Sequence, residues 1–142
     1  MAILFHSIDA HVPAIPKRQV SQWIKHVANQ NHSTVGEISL IFCSDDYLLK
    51  INKQYLNHDY YTDVITFAYR EGNHISGDIF ISLDTVKSNA IQFNTTFDDE
   101  LRRVIIHGIL HLCGVNDKTP EEQTKMTQCE NEALEYWKNG AY

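Results

Sequence analysis

The stretch of sequence that decides the fold is residues 104–114, which read Val-Ile-Ile-His-Gly-Ile-Leu-His-Leu-Cys-Gly. Its apolar residues recur as on the buried face of a helix, and His107 and His111 stand four residues apart. Side chains at positions i and i+4 of a helix project from the same face, with Cβ atoms roughly 5–6 Å apart. Gly114 predicts a sharp end to this helix, so the following chain can fold back toward the two imidazoles.

Asp117 is the first carboxylate after the histidine pair and the candidate for a third metal ligand. Two imidazoles and one carboxylate leave the fourth position of a tetrahedral zinc site open, which is typical of catalytic zinc. The same donors also suit iron, nickel or manganese. Two other interpretations stay open: a pair of hydrogen-bonded buried histidines, and a loop or capping aspartate. Cys113 is expected to point away from the pair as a small buried residue.

The residue after the first histidine bears on the reaction. A metal ion in an open site can polarise a phosphodiester oxygen or activate a water. The H-E-x-x-H metalloproteases carry a glutamate there as general base, whereas this chain has Gly108. The missing base counts against a protease. The missing side chain predicts room for another element or for a bulky group such as a phosphodiester.

Length and composition predict one domain, residues 1–142, with an apolar fraction of 43% that can fill one core. The sequence has no long apolar run and no basic, apolar leader at its start, so we expect a cytoplasmic protein without a membrane partner. Three cysteines without a C-x-x-C pair fit reduced thiols. The net charge of −6 argues against a protein that coats nucleic acid such as DNA through its overall field.

Hydrophobic periodicity and capping signals predict an α+β fold, with helices packed on a mixed sheet of about four strands. The strands are expected at residues 3–8, 37–43, 62–68 and 75–83. Helices are expected to begin near Pro16, at Ser44, at Asp84, at Thr95 or Thr96, and at Thr119. A polar loop is expected over residues 57–61.

The last helix has two clear signals. Thr119 and Glu122, with Pro120 between them, form a capping box with proline at the first helical position. An apolar stripe at helical spacing predicts the face that packs on the core; it consists of Met126, Cys129, Ala133 and Trp137.

Residues 107–114 resemble the H-G-x-L-H-L-x-G signature of the YbeY family. Residues 62–67, Thr-Asp-Val-Ile-Thr-Phe, resemble its T-D-V-L-S-F block, and residues 77–79, Gly-Asp-Ile, its G-D-I strand. The resemblance covers most of the chain, and the histidine block is its specific part. It implies a single-strand-specific, zinc-dependent endoribonuclease with one zinc ion per chain. It also implies a role in ribosomal RNA maturation at the 3′ end of 16S RNA, with RNA and the ribosomal subunit as partners.

The sequence departs from the family pattern at two positions. Asp117 stands where the family has a third histidine ligand, and an anionic ligand should make a metal-bound water less acidic. Leu56 stands where the family commonly has an arginine, so a phosphate-binding group is missing there. Lys50, Lys53 or Arg70 are the candidates to replace it.

The resemblance also brings two acidic residues, Asp63 and Asp78, toward the site. Each is a tentative catalytic residue, either as a base or as a partner that orients a ligand histidine. The alternative is a structural aspartate at a strand end or turn.

Two other functions stay open at this point. One is a metal-dependent hydrolase of another substrate, such as a peptide. The other is a ribosome-assembly binding factor in which the metal is structural and the acidic surface contacts proteins.

Overall fold

A computed structural model describes residues 2–56, 62–69 and 71–142. The predicted polar loop over residues 57–61 and Arg70 lie outside the described residues. The strands of the described chain are β1 (Ala2–Ser7), β2 (Thr34–Cys43), β3 (Val64–Ala68) and β4 (His74–Ser82). Its helices are α1 (Lys17–Gln30), α2 (Asp45–Leu56), α3 (Leu83–Gln92), α4 (Phe97–Leu112) and α5 (Pro120–Asn139). None of these helices is long and apolar enough to cross a bilayer.

The four strands form one mixed sheet in the order β1-β2-β4-β3. The β1–β2 and β2–β4 pairs are parallel, and β3 pairs antiparallel with β4 at one edge. The predicted α+β class and four-stranded mixed sheet are therefore confirmed. Each predicted strand is present, with ends displaced by no more than three residues.

The helix that carries the histidine pair packs on the inner strand β4 and on the edge strand β3. Alternation along β4 buries Ile79 and Ile81, and these face the apolar side of α4. A Cβ atom added at Gly108 would lie 2.9 Å from Ile79 Cγ2 and 3.5 Å from Thr66 Cγ2. The space that this glycine provides is therefore filled by the sheet. Of the two predicted occupants, another element of the fold is therefore confirmed, and a phosphodiester is wrong.

Local signals set both ends of α4. The Thr96 hydroxyl accepts a hydrogen bond from the backbone N–H of Asp99, which caps the N-terminus. At the other end Gly114 has a φ of +94°, a left-handed conformation that glycine adopts at little cost. The Val115 N–H then returns to the Leu110 carbonyl. This reversal directs the chain back along the helix toward Asp117.

The helices around α4 follow most of the predicted caps. Thr119 and Glu122 make the predicted capping box at the start of α5, and the Trp23 indole N–H ties α1 to the Ala133 carbonyl of α5 at 2.7 Å. The predicted cap of α3 was wrong by two residues. Ser82 is the N-cap, and Asp84 lies in the first turn.

Candidate metal centre

Three side-chain atoms from α4 and the turn after it converge on one point. His111 Nε2 lies 3.0 Å from His107 Nε2 and 3.2 Å from Asp117 Oδ2. His107 Nε2 lies 3.3 Å from the same carboxylate oxygen. Within the described part of the chain, this is the one group of three or more histidine, cysteine or acidic side chains that can hold a metal ion.

The spacing of these donors fits a small divalent cation. Ligands of tetrahedral zinc, with bonds of ~2.0–2.2 Å, lie about 3.3–3.6 Å from one another. The observed separations of 3.0–3.3 Å are close to this range. Three atoms with lone pairs meet here, and one shared proton joins only two of them. A cation among them satisfies all three.

The second nitrogen of each imidazole is engaged elsewhere, which leaves Nε2 for the shared point. His107 Nδ1 lies 2.6 Å from Glu130 Oε2, so a neutral His107 that donates from Nδ1 keeps a lone pair on Nε2. His111 makes a hydrogen bond with the backbone of Val115. Metal-binding histidines usually donate their far N–H to a carboxylate or carbonyl in this way.

Glu130 is a site residue that the sequence analysis missed. Its other oxygen, Oε1, accepts a hydrogen bond from Arg103 Nη1 at 2.8 Å, and Arg103 Nη2 donates to Asn131 Oδ1 at 2.9 Å. Glu130 is only 7% exposed, so these charge-assisted bonds offset the cost of burying its charge. The result is a fixed acceptor for His107 that reaches across from α5.

The surroundings shift the pKa values of the two histidines in opposite directions. Burial acts to lower the pKa of His107, but the hydrogen bond and charge of Glu130 and the charges of Asp63 and Asp117 outweigh it, so that pKa lies above its usual value. The pKa of His111 lies below its usual value because of burial and the neighbouring His107 charge, against the opposing effect of Asp117. Carboxylates thus surround His107 and stabilise positive charge there, whether a proton or a bound cation carries it.

The donors open into a cleft of about 310 Å³ between the last turn of α2, the edge strand β3 and α4. Asp63 and Leu56 line it together with the three donors. Burial raises the pKa of the Asp63 carboxyl above its usual range, although the His107 charge opposes this shift. Leu56, 40% exposed, contributes an apolar wall where a phosphate-binding arginine is expected from the family pattern.

Of the two acidic residues predicted near the site, Asp63 lies in the cleft and Asp78 does not. Asp78 belongs to the face of β4 opposite to Ile79, and its carboxylate accepts a hydrogen bond from the Tyr69 hydroxyl at 3.5 Å. Cys113 lies outside the group of three donors, as predicted, but it is half-buried against the core and not fully buried.

Fold and site together define a class: an α+β protein whose two-histidine, one-carboxylate centre lies in an open cleft beside an edge strand. Comparison with known proteins makes this assignment specific. The profile of the family described as Endoribonuclease YbeY matches residues 6–138. The chain belongs to the YbeY family.

Several relatives cover nearly the whole chain. A protein of Parabacteroides distasonis named Endoribonuclease YbeY is 59% identical over 94% of this chain and 94% of its own length. One of the same name from Bacteroides thetaiotaomicron is 55% identical over 94% of this chain and 98% of its own length. The solution structure of a Thermotoga maritima protein matches with a TM-score of 0.62 and 26% identity, covering 98% of this chain and 93% of that one.

Proposed function

We propose that the protein is a zinc-dependent endoribonuclease that cleaves single-stranded RNA, with one zinc ion held by His107, His111 and Asp117. The observation that carries this proposal is the convergence of three acceptor atoms within 4.8 Å in a cleft open to a substrate. The relatives named as endoribonucleases support RNA as the substrate. Residues 1–142 are proposed to act as a single domain.

When bound, zinc supplies Lewis-acid polarisation of the scissile phosphate. His107 and His111 bind it through neutral imidazoles. Glu130 keeps the proton of His107 on Nδ1, and this directs the Nε2 lone pair into the cleft. The anionic Asp117 lowers the net charge of the ion and its ligands, compared with a third imidazole.

Asp63 is proposed as the group that moves a proton. It lies in the cleft with the ligands, and its raised pKa brings the carboxylate closer to the pKa range of an effective general base. An Asp63 carboxylate oxygen accepts the proton of the attacking hydroxyl, which belongs to a water or to the RNA 2′-hydroxyl. As the new P–O bond forms, the scissile P–O bond breaks, and the ribose oxygen that leaves takes up a proton from solvent. The two nucleophiles give different ends: attack by the 2′-hydroxyl leaves a 2′,3′-cyclic phosphate. Asp78 has no such position, so we assign it no step.

The proposed biological substrate is the 3′ end of 16S ribosomal RNA, reached in the cytoplasm on a ribosomal subunit. The names of the relatives support the endoribonuclease class, and the family resemblance supports this substrate.

The test is cleavage of a single-stranded RNA with the sequence of the 16S 3′ end by zinc-loaded protein. We expect cleavage by the wild type and by His74→Ala, a control at an exposed histidine that contacts Thr34, and no cleavage by His111→Ala. Equal cleavage by His111→Ala would contradict the proposal. Cleavage of a peptide library and not of RNA would assign a different hydrolase, and co-sedimentation with subunits without cleavage would assign a binding factor.

A further inference from the structure

The metal cleft continues into a groove that follows α4 toward its N-terminus. The cleft shares Asp63 and His107 with a second cavity of about 270 Å³. That cavity in turn shares Phe93, Glu100 and Arg103 with a third one of about 720 Å³. We call the second and third cavities together the α4 groove.

Helix geometry explains why the groove and the metal centre are continuous. His111, His107, Arg103 and Asp99 are spaced four residues apart and therefore form one row of side chains, which runs along α4 at an angle to its axis. Each contributes to the lining of the cleft or the groove. At a rise of ~1.5 Å per residue, the twelve steps from His111 to Asp99 extend the path about 18 Å along the helix. That length accommodates several nucleotides of one strand.

Phe93 lies where the two cavities of the groove meet, and its side chain is 61% exposed. A large aromatic ring in water at the end of α3 loses hydrophobic stabilisation that burial would give. Exposed aromatic rings beside a strand-binding cleft are the usual platforms on which unpaired bases stack.

Acidic side chains outnumber basic ones around the groove: Asp63, Asp99, Glu100, Glu130 and Glu135 against Arg102, Arg103 and Lys138. Arg102 donates to Asp99 at 2.7 Å and lies over the Trp137 ring, with its guanidinium carbon 4.8 Å from the ring centroid. Arg103 is paired with Glu130. The groove therefore offers no net electrostatic attraction for phosphates, and stacking must supply its affinity for a nucleic acid.

We propose that Phe93 is a base-stacking subsite for the single-stranded RNA cleaved at the metal centre, holding a nucleotide next to the scissile phosphate. This inference rests on the proposed function. It explains a preference for single strands in an acidic protein, because a base in a duplex is already stacked and paired. It also implies that affinity depends only weakly on salt. For single strands, the logarithm of the binding constant falls with the logarithm of the salt concentration by ~0.7 for each phosphate neutralised, and this groove neutralises few phosphates.

The experiment compares zinc-loaded wild type, Phe93→Ala, Phe93→Tyr and Ile91→Ala on a labelled single-stranded RNA. Ile91 is a matched control, because it is 77% exposed on α3 and does not line the groove. We expect KM to rise roughly tenfold in Phe93→Ala with little change in kcat. Phe93→Tyr and Ile91→Ala should behave as the wild type.

A scan of abasic substitutions along the RNA then locates the contact. In the wild type, removal of one particular base should raise KM by about the same factor as the Phe93→Ala substitution does. In Phe93→Ala, removal of that base should cause no further rise in KM. An unchanged KM in Phe93→Ala, or an abasic penalty equal in both proteins, would overturn the inference. Failure of the wild type to cleave any RNA would instead overturn the proposed function beneath it.

Discussion

Two clusters of polar side chains lie at helix ends in this molecule, and they differ in how donors and acceptors are matched. In the first, which we call the cap cluster, Asp45 Oδ1 accepts hydrogen bonds from the Ser82 and Thr85 hydroxyls. The Asp45 N–H donates to Asp84 Oδ2 at 2.9 Å. Each of these contacts joins a donor to an acceptor, so the cluster is complete as it stands.

The second cluster consists of His107, His111 and Asp117, and it brings acceptors toward one another. Its outer contacts are complete, because Glu130 and the Val115 backbone engage the far side of the imidazoles. Its inner atoms face one another at 3.0–3.3 Å without enough donors. The first cluster thus matches donors with acceptors, as structural polar groups do, whereas the second brings together acceptors that could hold a metal ion.

The largest expected effect is the loss of a metal ligand. His107→Ala should weaken zinc binding by more than the roughly 100-fold that an outer partner can cost, while the circular dichroism spectrum stays unchanged. Competition against a chromophoric chelator measures the affinity. His74→Ala, which alters an exposed histidine far from the cleft, should retain wild-type affinity. A zinc affinity of His107→Ala equal to that of wild type would remove the distinction between the two clusters.

The next effect is the loss of the outer partner of His107. Glu130→Gln removes the carboxylate that accepts from Nδ1 and pairs with Arg103, and zinc affinity should fall about 10–100-fold. Glu132→Gln, an exposed position on the same helix, is the control. If chelator competition gives Glu130→Gln the same zinc affinity as Glu132→Gln and the wild type, Glu130 has only a structural role.

A substitution in the cap cluster should lower the stability of the protein and leave its zinc affinity unchanged. Asp45→Ala leaves the fully buried Ser82 hydroxyl without its acceptor, which should lower the free energy of unfolding by about 1–3 kcal/mol. Zinc affinity should not change. Urea unfolding of the zinc-free protein measures the first quantity and chelator competition the second. A loss of zinc affinity with unchanged stability would contradict the assignment of this cluster as structural.

The smallest effect concerns a thiol beside the cap cluster. Burial, followed by the charges of Asp9, Asp45 and Asp84, raises the pKa of Cys43 to about 12. The reactive thiolate is therefore scarce at pH 8, so iodoacetamide should label Cys43 far more slowly than Cys113, as mass spectrometry can follow. Equal rates in the native protein would show that this end of β2 opens readily.

Sequence patterns predicted the part of the site that one helix and one turn build. His107 and His111 share a face because of their spacing, and Gly114 allows the reversal that brings Asp117 back. These relations are local, so they follow from helix geometry alone. The strands also followed from local alternation, whereas their order in the sheet depends on long-range pairing that periodicity does not encode.

The parts that were missed depend on contacts between distant segments. Glu130 lies 23 residues from His107, and the apolar stripe around it on α5 predicts only a face that packs on the core. A signal was present, because Glu130 falls between Met126 and Ala133 at helical spacing, and a carboxylate on a buried face requires a partner. At Gly108 the sequence predicted room for another element or for a bulky group, and only the long-range approach of Ile79 decides for the first.

The central claim is that two imidazoles and one carboxylate of this chain bind a single zinc ion. X-ray absorption at the zinc edge, combined with elemental analysis of the purified protein, tests it most directly. We predict one zinc per chain with two imidazole ligands and oxygen donors completing the shell, and loss of stoichiometric zinc in Asp117→Ala. A thiolate ligand, a third imidazole, or full zinc retention in Asp117→Ala would contradict the account.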